Sequence, residues 1–173
     1  GIMNSGGTIS KPIGRSTKDR KKMAVREFGG KEAVSHYRVL EHFRAHSRIR
    51  VKLETGRTHQ IRVHMAYLGY PLIGDPVYGS RFRIPKRMHE EFVSFLRGYH
   101  RQALHAGALS LTHPVSGKKM KWKASMPEDM LELIDVLRED VEMMQFHNDG
   151  YDDYEYDDHG VEVEWVTDED IPE

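Results

Sequence analysis

The residues of greatest chemical interest lie in the run 54–79, ETGRTHQIRVHMAYLGYPLIGDPVYG. Gly56 allows a sharp turn and leaves room for a ligand close to the backbone. Thr58 is suited to cap a helix that begins at about residue 59. Free N–H groups at the amino end of a helix favour anions, so phosphate or carboxylate is the expected guest. The polar residues predicted to bind substrate there are Arg57, Thr58, His59 and Gln60.

Arg62 lies one turn inside this predicted helix. An arginine at that place can form a bidentate pair with a carboxylate and hold it in the charged form. From the residues alone, a structural salt bridge or a surface arginine explains it equally well. His59 and His64 are five positions apart and therefore point about 140° apart on a helix. Helical zinc pairs are four positions apart and the chain has no cysteine, so we expect no metal site.

Charge is strongly segregated along the chain. Residues 1–126 contain 25 basic and 8 acidic residues, whereas residues 127–173 contain 19 acidic residues and a single basic one, Arg138. This pattern is typical of a body that binds a polyanion and is followed by an acidic tail. A solvated surface with a solubilising tail gives the same pattern. The predicted RNA contact is a basic cluster in an early loop, Lys18, Arg20, Lys21 and Lys22.

Composition limits the classes of protein that remain. No apolar run approaches the roughly 20 residues that a membrane span needs, so we expect no membrane partner. The absence of cysteine excludes disulfides and thiol nucleophiles and fits a cytoplasmic protein. The sequence opens at Gly1 directly into glycine-rich, turn-like residues, which we interpret as the start of a fragment.

The elements that must position these residues are mixed strands and helices. Alternating apolar residues predict two strands, 33–44 and 48–54, joined as an antiparallel hairpin. Strands and helices do not alternate regularly, which favours an α+β fold with a mainly antiparallel sheet and flanking helices. We expect one domain over 1–145 and an acidic, flexible tail over 146–173. Further predicted elements are helices at 59–68, 86–98 and from Pro127, strands at 103–112 and 118–124, and a short edge strand at 161–166.

The run 54–79, with its own glycine and proline punctuation, resembles the third conserved motif of the RluA family of RNA pseudouridine synthases. Three further segments resemble the same family in the same order, and together the likeness covers about residues 5–140. Within the family, the likeness is closest to enzymes that modify large-subunit (23S) ribosomal RNA. The three segments are 12–25, 29–43 and 101–130.

The resemblance implies an isomerisation of uridine to pseudouridine without a cofactor. The family's essential aspartate sits in a motif resembling H-R-L-D-x-x-T-S-G, which is absent here and expected upstream of Gly1, as is the active-site tyrosine. By motif position, Arg62 corresponds to the basic residue that pairs with that aspartate. Ile61 corresponds to the apolar residue beside it, which supports the uracil pocket. Asp75 falls in the G-D-x-x-Y-G turn and is expected to fix that turn through backbone hydrogen bonds rather than act as nucleophile.

The sequence leaves three interpretations of function open. In the first, the chain is part of an enzyme: it supplies half of an active site for ribosomal RNA, is inactive alone, and is completed by an upstream segment of the same protein. A uridine in folded RNA must be flipped out before its glycosidic bond can be reached, which calls for a basic anchoring surface. A non-catalytic RNA-binding module is the second reading. A structural chain whose basic face meets an acidic protein is the third.

Overall fold

The computed structural model describes residues 1–79, 84, 86–147 and 161–165. Its architecture is α+β, as predicted from the mixture of strands and helices. The strands in the described part of the chain are β1 (Gly6–Ser10), β2 (Ile13–Arg15), β3 (Met23–Val25), β4 (Val34–His42), β5 (Ser47–Leu53), β6 (Leu104–His105), β7 (Ala108–Thr112), β8 (Lys119–Lys123) and β9 (Val161–Trp165). The helices there are α1 (Gln60–Tyr67), α2 (Glu90–Gly98) and α3 (Glu128–His147).

A five-stranded sheet in the order β1-β4-β5-β9-β6 forms the centre of the fold. The predicted hairpin is confirmed, because β4 and β5 pair antiparallel with Tyr37 opposite Val51. Alternation along β5 works as the sequence indicates, since Ile49 and Val51 are buried while Arg50 between them is partly exposed. Two separate ribbons, β2-β3 and β7-β8, complete the strands. Among the described helices, α1 is the one whose buried residues pack in the same apolar cluster as the main sheet.

Helix α1 is held between two apolar clusters. Ile61 and Met65 pack into a cluster with Ile49 and Val51 of the sheet. Val63, on another side of the helix, packs in a smaller cluster with Ile13 of the β2-β3 ribbon. Because both sides of this short helix are buried, the polar residues at its amino end are fixed relative to the sheet and to the ribbon. A separate cluster joins α2 and α3, with Leu96, Leu133, Ile134 and Leu137 buried.

Two helix starts differ from the prediction. The N-cap of α1 is His59 in a left-handed conformation (φ 58°), so the predicted capping role of Thr58 is wrong. The side chain of Gln60 organises this entrance instead, through bonds from the Arg57 N–H and the Thr55 hydroxyl. Helix α2 begins at Glu90 rather than at residue 86, because Arg87 has φ 62° and a right-handed helix cannot pass through that conformation.

The carboxy-terminal elements also differ in detail. The predicted strand at 103–112 is two short strands, β6 and β7, which belong to different sheets. The strand predicted at 161–166 as an edge is β9, which lies between β5 and β6 and is parallel to both. Helix α3 continues to His147, across the proposed boundary at 145/146. Most of the predicted flexible tail lies outside the described residues.

Candidate functional site

Arg62 and Asp75 form a buried bidentate ion pair at the heart of the run 54–79. Nε of Arg62 donates to Oδ2 of Asp75 at 2.7 Å, and Nη2 donates to Oδ1 at 2.8 Å. The Asp75 side chain is fully buried and that of Arg62 is 11% exposed. Among the described residues no acceptor contacts Nη1 of Arg62. Arg62, which was predicted to pair with an acid outside the chain, therefore already holds one carboxylate within it.

Asp75 also fixes the turn that follows α1. Its Oδ1 accepts the backbone N–H of Val77 at 2.9 Å and that of Tyr78 at 3.0 Å, so the predicted turn-fixing role is confirmed. Burial acts to raise the pKa of this carboxyl, but the bonds from Arg62, Tyr78 and Val77 outweigh it and leave the pKa below its ordinary value. A carboxylate with this many donors is a poor nucleophile.

Tyr78 is the residue that links the site together, and it was not among the site residues predicted from the sequence. Its ring lies under the guanidinium of Arg62, 4.9 Å from the ring centroid to Cζ. Its hydroxyl accepts the backbone N–H of Met23 at 2.9 Å and is hydrogen-bonded to Nδ1 of His59 at 2.8 Å. The available signal was its position in the same G-D-x-x-Y-G turn as Asp75. Tyr78 thus joins α1, the turn and the β2-β3 ribbon.

Gln60 has a supporting position rather than an open one. Its Oε1 accepts the backbone N–H of Arg57 and the hydroxyl of Thr55, each at 2.9 Å. Its Nε2 donates to the carbonyl oxygen of Val34 at 2.9 Å and to the hydroxyl of Ser35 at 3.1 Å. The side chain is buried and its amide atoms are all engaged. Gln60 therefore holds the strand–helix turn in place, and the contact with substrate predicted for it stays a prediction.

The other predicted substrate residues divide into exposed and buried ones. Arg57, Thr58 and His59 are exposed at the entrance to α1. Desolvation, together with the nearby charge of Arg62, lowers the pKa of His59. Ile61 is 3% exposed and lies in the core beneath the sheet, so its predicted role beside the uracil stays a prediction.

The second histidine of α1 is part of the internal scaffold. His64 is fully buried, with Nδ1 2.8 Å from the hydroxyl of Ser35 and Nε2 2.9 Å from the carbonyl oxygen of Lys11. Desolvation lowers its pKa, opposed by the bond to the Lys11 carbonyl. Both ring nitrogens of His64 are thus engaged within the fold. His59 makes a separate hydrogen bond, from its ring to the hydroxyl of Tyr78.

A groove of about 390 Å³ opens beside the turn between β5 and α1. Its lining includes three cationic and three glycine residues, and none of the residues that line it is acidic. We call it the basic groove, defined by Arg15, Lys31, Arg57, Gly14, Gly29 and Gly56. The groove connects the β2-β3 ribbon to the entrance of α1, so it lies next to the exposed residues Arg57 and Thr58.

The basic cluster predicted to contact RNA lies in the loop between β2 and β3. Lys18, Arg20 and Lys21 are exposed there. Lys22 is half-buried, and its Nζ donates to the carbonyl oxygen of Val77 at 3.0 Å. One member of the cluster therefore ties the ribbon to the turn that Asp75 organises, while the other three face solvent.

None of the described helices is both long and apolar enough to cross a membrane.

Known proteins resemble this chain in sequence. The profile of the RNA pseudouridylate synthase family matches residues 1–67. The protein named ribosomal large subunit pseudouridine synthase D from Pseudomonas aeruginosa is 61% identical over 142 residues, which is 82% of this chain and 44% of that protein. The proteins of the same name from Escherichia coli K12 and Salmonella typhimurium are 58% and 51% identical, over 82% and 96% of this chain. They are covered over 43% and 46% of their own lengths, so the chain spans less than half of each of these curated relatives.

Solved structures agree with the sequence relatives. The structure of human RNA pseudouridylate synthase domain containing 1 superposes with a TM-score of 0.56 at 25% identity, over 89% of this chain and 64% of that one. Human RNA pseudouridylate synthase domain containing 4, at 23% identity and a TM-score of 0.51, shares the fold. The chain belongs to the RluA family of RNA pseudouridine synthases.

Proposed function

We propose that this chain is the carboxy-terminal part of the catalytic domain of an enzyme that isomerises uridine to pseudouridine in large-subunit ribosomal RNA. Family membership and relatives named for that activity support the proposal. In this proposal residues 1–145 form most of the catalytic portion, and the acidic segment 146–173 begins at the end of α3 and contributes β9 to the central sheet. The enzyme acts in the cytoplasm and needs no cofactor.

One observation supports the proposal that Arg62 comes from this chain and the catalytic aspartate from another segment. Arg62 is buried and held rigidly by Asp75 through Nε and Nη2, which leaves Nη1 without an acceptor among the described residues. A fixed guanidinium with one amine available can receive a second carboxylate and keep it charged in a partly buried pocket. Asp75 cannot fill that role, because Arg62 and two backbone N–H groups already occupy it. The catalytic aspartate then comes from an upstream stretch of polypeptide, and the chain supplies half of the active site.

The reaction explains why such an arginine is useful. In the mechanism that the family resemblance implies, an aspartate attacks the target nucleotide, the N-glycosidic bond breaks, the uracil turns, and C5 joins the sugar. The aspartate must be charged to attack, and burial alone would raise its pKa and neutralise it. Exposed cations, among them Lys18, Arg20 and Lys21, anchor the RNA backbone while the target base is flipped out.

Release of tritium tests the proposal, since bonding at C5 displaces the hydrogen that C5 carries. Ribosomal RNA labelled with [5-³H]uridine is incubated with the protein expressed from the intact gene and, separately, with the 173-residue chain. We expect tritium release from the first and none from the second. Release by the chain alone would contradict the half-site proposal, and no release by either would contradict the enzymatic one.

A second function is favoured by one specific observation. The only carboxylate that contacts Arg62 among the described residues is Asp75, which is fully engaged. A chain without an available acid would bind RNA without modifying it. Tight, salt-dependent RNA binding by the intact gene product, with no tritium release, would favour this non-catalytic module over the enzyme.

A further inference from the structure

We infer that the basic groove is a subsite for a phosphodiester group of the RNA strand, with Arg57 as its principal ligand and Arg15 and Lys31 beside it. This inference rests on the proposed function, because RNA is the polyanion which that function requires. Arg57 was already predicted from the sequence to bind substrate, whereas Arg15 and Lys31 were not. The inference therefore adds these two residues and the glycine-lined space between them and Arg57.

Arg57 is fixed in position before any ligand binds. Its backbone N–H donates to Oε1 of Gln60 at 2.9 Å, and its Nε donates to the carbonyl oxygen of Glu32 at 2.8 Å. The two terminal amines have no acceptor among the described residues. A guanidinium whose stem is held and whose terminal amines are available can bind two oxygens of one phosphate without ordering its side chain first. This geometry favours phosphate over a diffuse counterion.

The other two cations come from a separate part of the chain. Lys31 lies opposite Ile13, where the two backbones exchange hydrogen bonds of 2.8 Å in each direction. Arg15 lies at the end of the same strand as Ile13, and among the described residues its guanidinium makes one long contact of 3.4 Å, from Nη1 to the carbonyl oxygen of Arg20. Backbone pairing thus fixes where both side chains start, while their charged ends lie at the surface. Three positive charges around one groove without an acidic residue attract an anion.

The glycines provide the space for the ligand. A Cβ atom placed on Gly56 would have no atom within 4 Å, and the same is true for Gly29. The wall of the groove is therefore bare backbone at these points, which allows close approach of a ligand. The volume, about 390 Å³, falls in the range of roughly 300–1,000 Å³ that is usual for small-ligand sites. A phosphate with its adjoining ribose fits such a space.

Gly56 provides a steric test that leaves the rest of the chain undisturbed. Its φ is outside the left-handed range, so alanine is compatible with its backbone, and the new methyl group would enter the groove instead of meeting another residue. Gly98, the last residue of α2, has the same properties and does not line the groove. Gly98→Ala is therefore the matched control for Gly56→Ala.

Charge removal gives the second arm of the experiment. The 173-residue chain and its variants Arg57→Gln, Lys31→Gln and Arg15→Gln are titrated against a fluorescein-labelled single-stranded uridine RNA at several salt concentrations. We expect Arg57→Gln to weaken binding about tenfold, because a charge-assisted bidentate contact is lost. Each removed cation should reduce the slope of log K against log salt by about 0.7. Arg97→Gln, an exposed arginine of α2 outside the groove, is the charge-matched control.

The two glycine variants are measured in the same way. Gly56→Ala should weaken RNA binding with an unchanged salt slope, and Gly98→Ala should bind as the unmodified chain does. Urea unfolding of every variant confirms that the fold is intact. Inorganic phosphate is added as a competitor to test whether the groove is instead a site for free phosphate. Such a site would bind phosphate at low concentration, and the groove variants would leave the affinity for RNA unchanged. These two observations together would overturn the assignment to an RNA phosphodiester.

The outcomes separate this inference from the function on which it rests. Groove variants that bind RNA as tightly as Arg97→Gln and Gly98→Ala would overturn the groove assignment and leave the proposed function standing. An unmodified chain that does not bind RNA, together with an intact gene product that releases no tritium, would overturn both.

Discussion

Replacing Arg62 by methionine should destabilise the fold strongly, quite apart from any effect on chemistry. Methionine keeps much of the length and apolar stem of the side chain but removes the guanidinium from Asp75, whose side chain is fully buried. Breaking a buried ion pair by removing one partner costs about 3–5 kcal/mol, because the remaining charge has lost its compensation. The two backbone N–H groups that also donate to Asp75 remain, so we expect the lower end, about 3 kcal/mol.

The measurement is urea unfolding of the 173-residue chain at pH 7, followed by circular dichroism. The matched control is Arg138→Met. Arg138 makes the same kind of bidentate pair, with Glu41 at 2.6 and 2.8 Å, but its side chain is 45% exposed. An exposed pair contributes about 0–1 kcal/mol, so this variant should stay within that range. A loss below about 1 kcal/mol for Arg62→Met, with an unchanged denaturant slope, would refute the reasoning.

The pH dependence gives a second signature of the same cause. In the unmodified chain the pKa of Asp75 is held low, so its contribution is present above the unfolded value of 3.8 and is lost as pH falls through the folded one. Without Arg62, burial raises the pKa of this carboxyl, and protonation then relieves the unfavourable charge. The difference in stability between Arg62→Met and the unmodified chain should therefore shrink as pH is lowered from 7 to about 5. A difference that is constant with pH would contradict this account.

Three further predictions concern the scaffold of the site. Burial lowers the pKa of His64 in the folded chain below the unfolded value of 6.5, so the free energy of unfolding should be greatest above pH 6.5 and should fall as pH drops below it. Urea midpoints measured against pH should show this fall, and His64→Gln should reduce it. Tyr78→Phe removes the acceptor of the Met23 N–H and should cost about 1–2 kcal/mol, and a loss under about 0.3 would argue against that bond. Gln60→Met removes the acceptor of the Arg57 backbone N–H and of the Thr55 hydroxyl and should cost about 3 kcal/mol, whereas a nearly neutral result would show that Gln60 is not the organiser of the turn.

Stability and activity must be separated in any experiment on the proposed catalytic role. A variant of Arg62 that unfolds loses turnover for a trivial reason. Asp75→Asn is informative here, because it disturbs the same ion pair without touching the proposed contact between Nη1 and the catalytic acid. If Arg62→Met and Asp75→Asn lose tritium release equally, after correction for the folded fraction, then Arg62 acts through the turn and not on the acid.

The sequence by itself determined the family, the fold class and the approximate positions of the local elements. The alternation of apolar residues along β5 follows directly from the two-residue period of a strand, and the structure buries Ile49 and Val51 accordingly. The turn-fixing role of Asp75 was also predictable, because its hydrogen bonds reach only two and three residues ahead. These are local properties, which depend on neighbours along the chain.

Tertiary structure alone decided which groups meet. Arg62 and Asp75 are 13 positions apart, and the Tyr78 hydroxyl contacts a backbone N–H that is 55 positions away. Likewise, Gln60 rather than Thr58 stabilises the start of α1, because its amide donates to the carbonyl oxygen of Val34, which is 26 positions away in the sequence. Such pairings are settled by how the helix packs on the sheet and the ribbon, and no periodicity along the sequence encodes them. The sequence therefore indicated an arginine in need of an acid, whereas only the folded chain shows that the first acid it holds is its own.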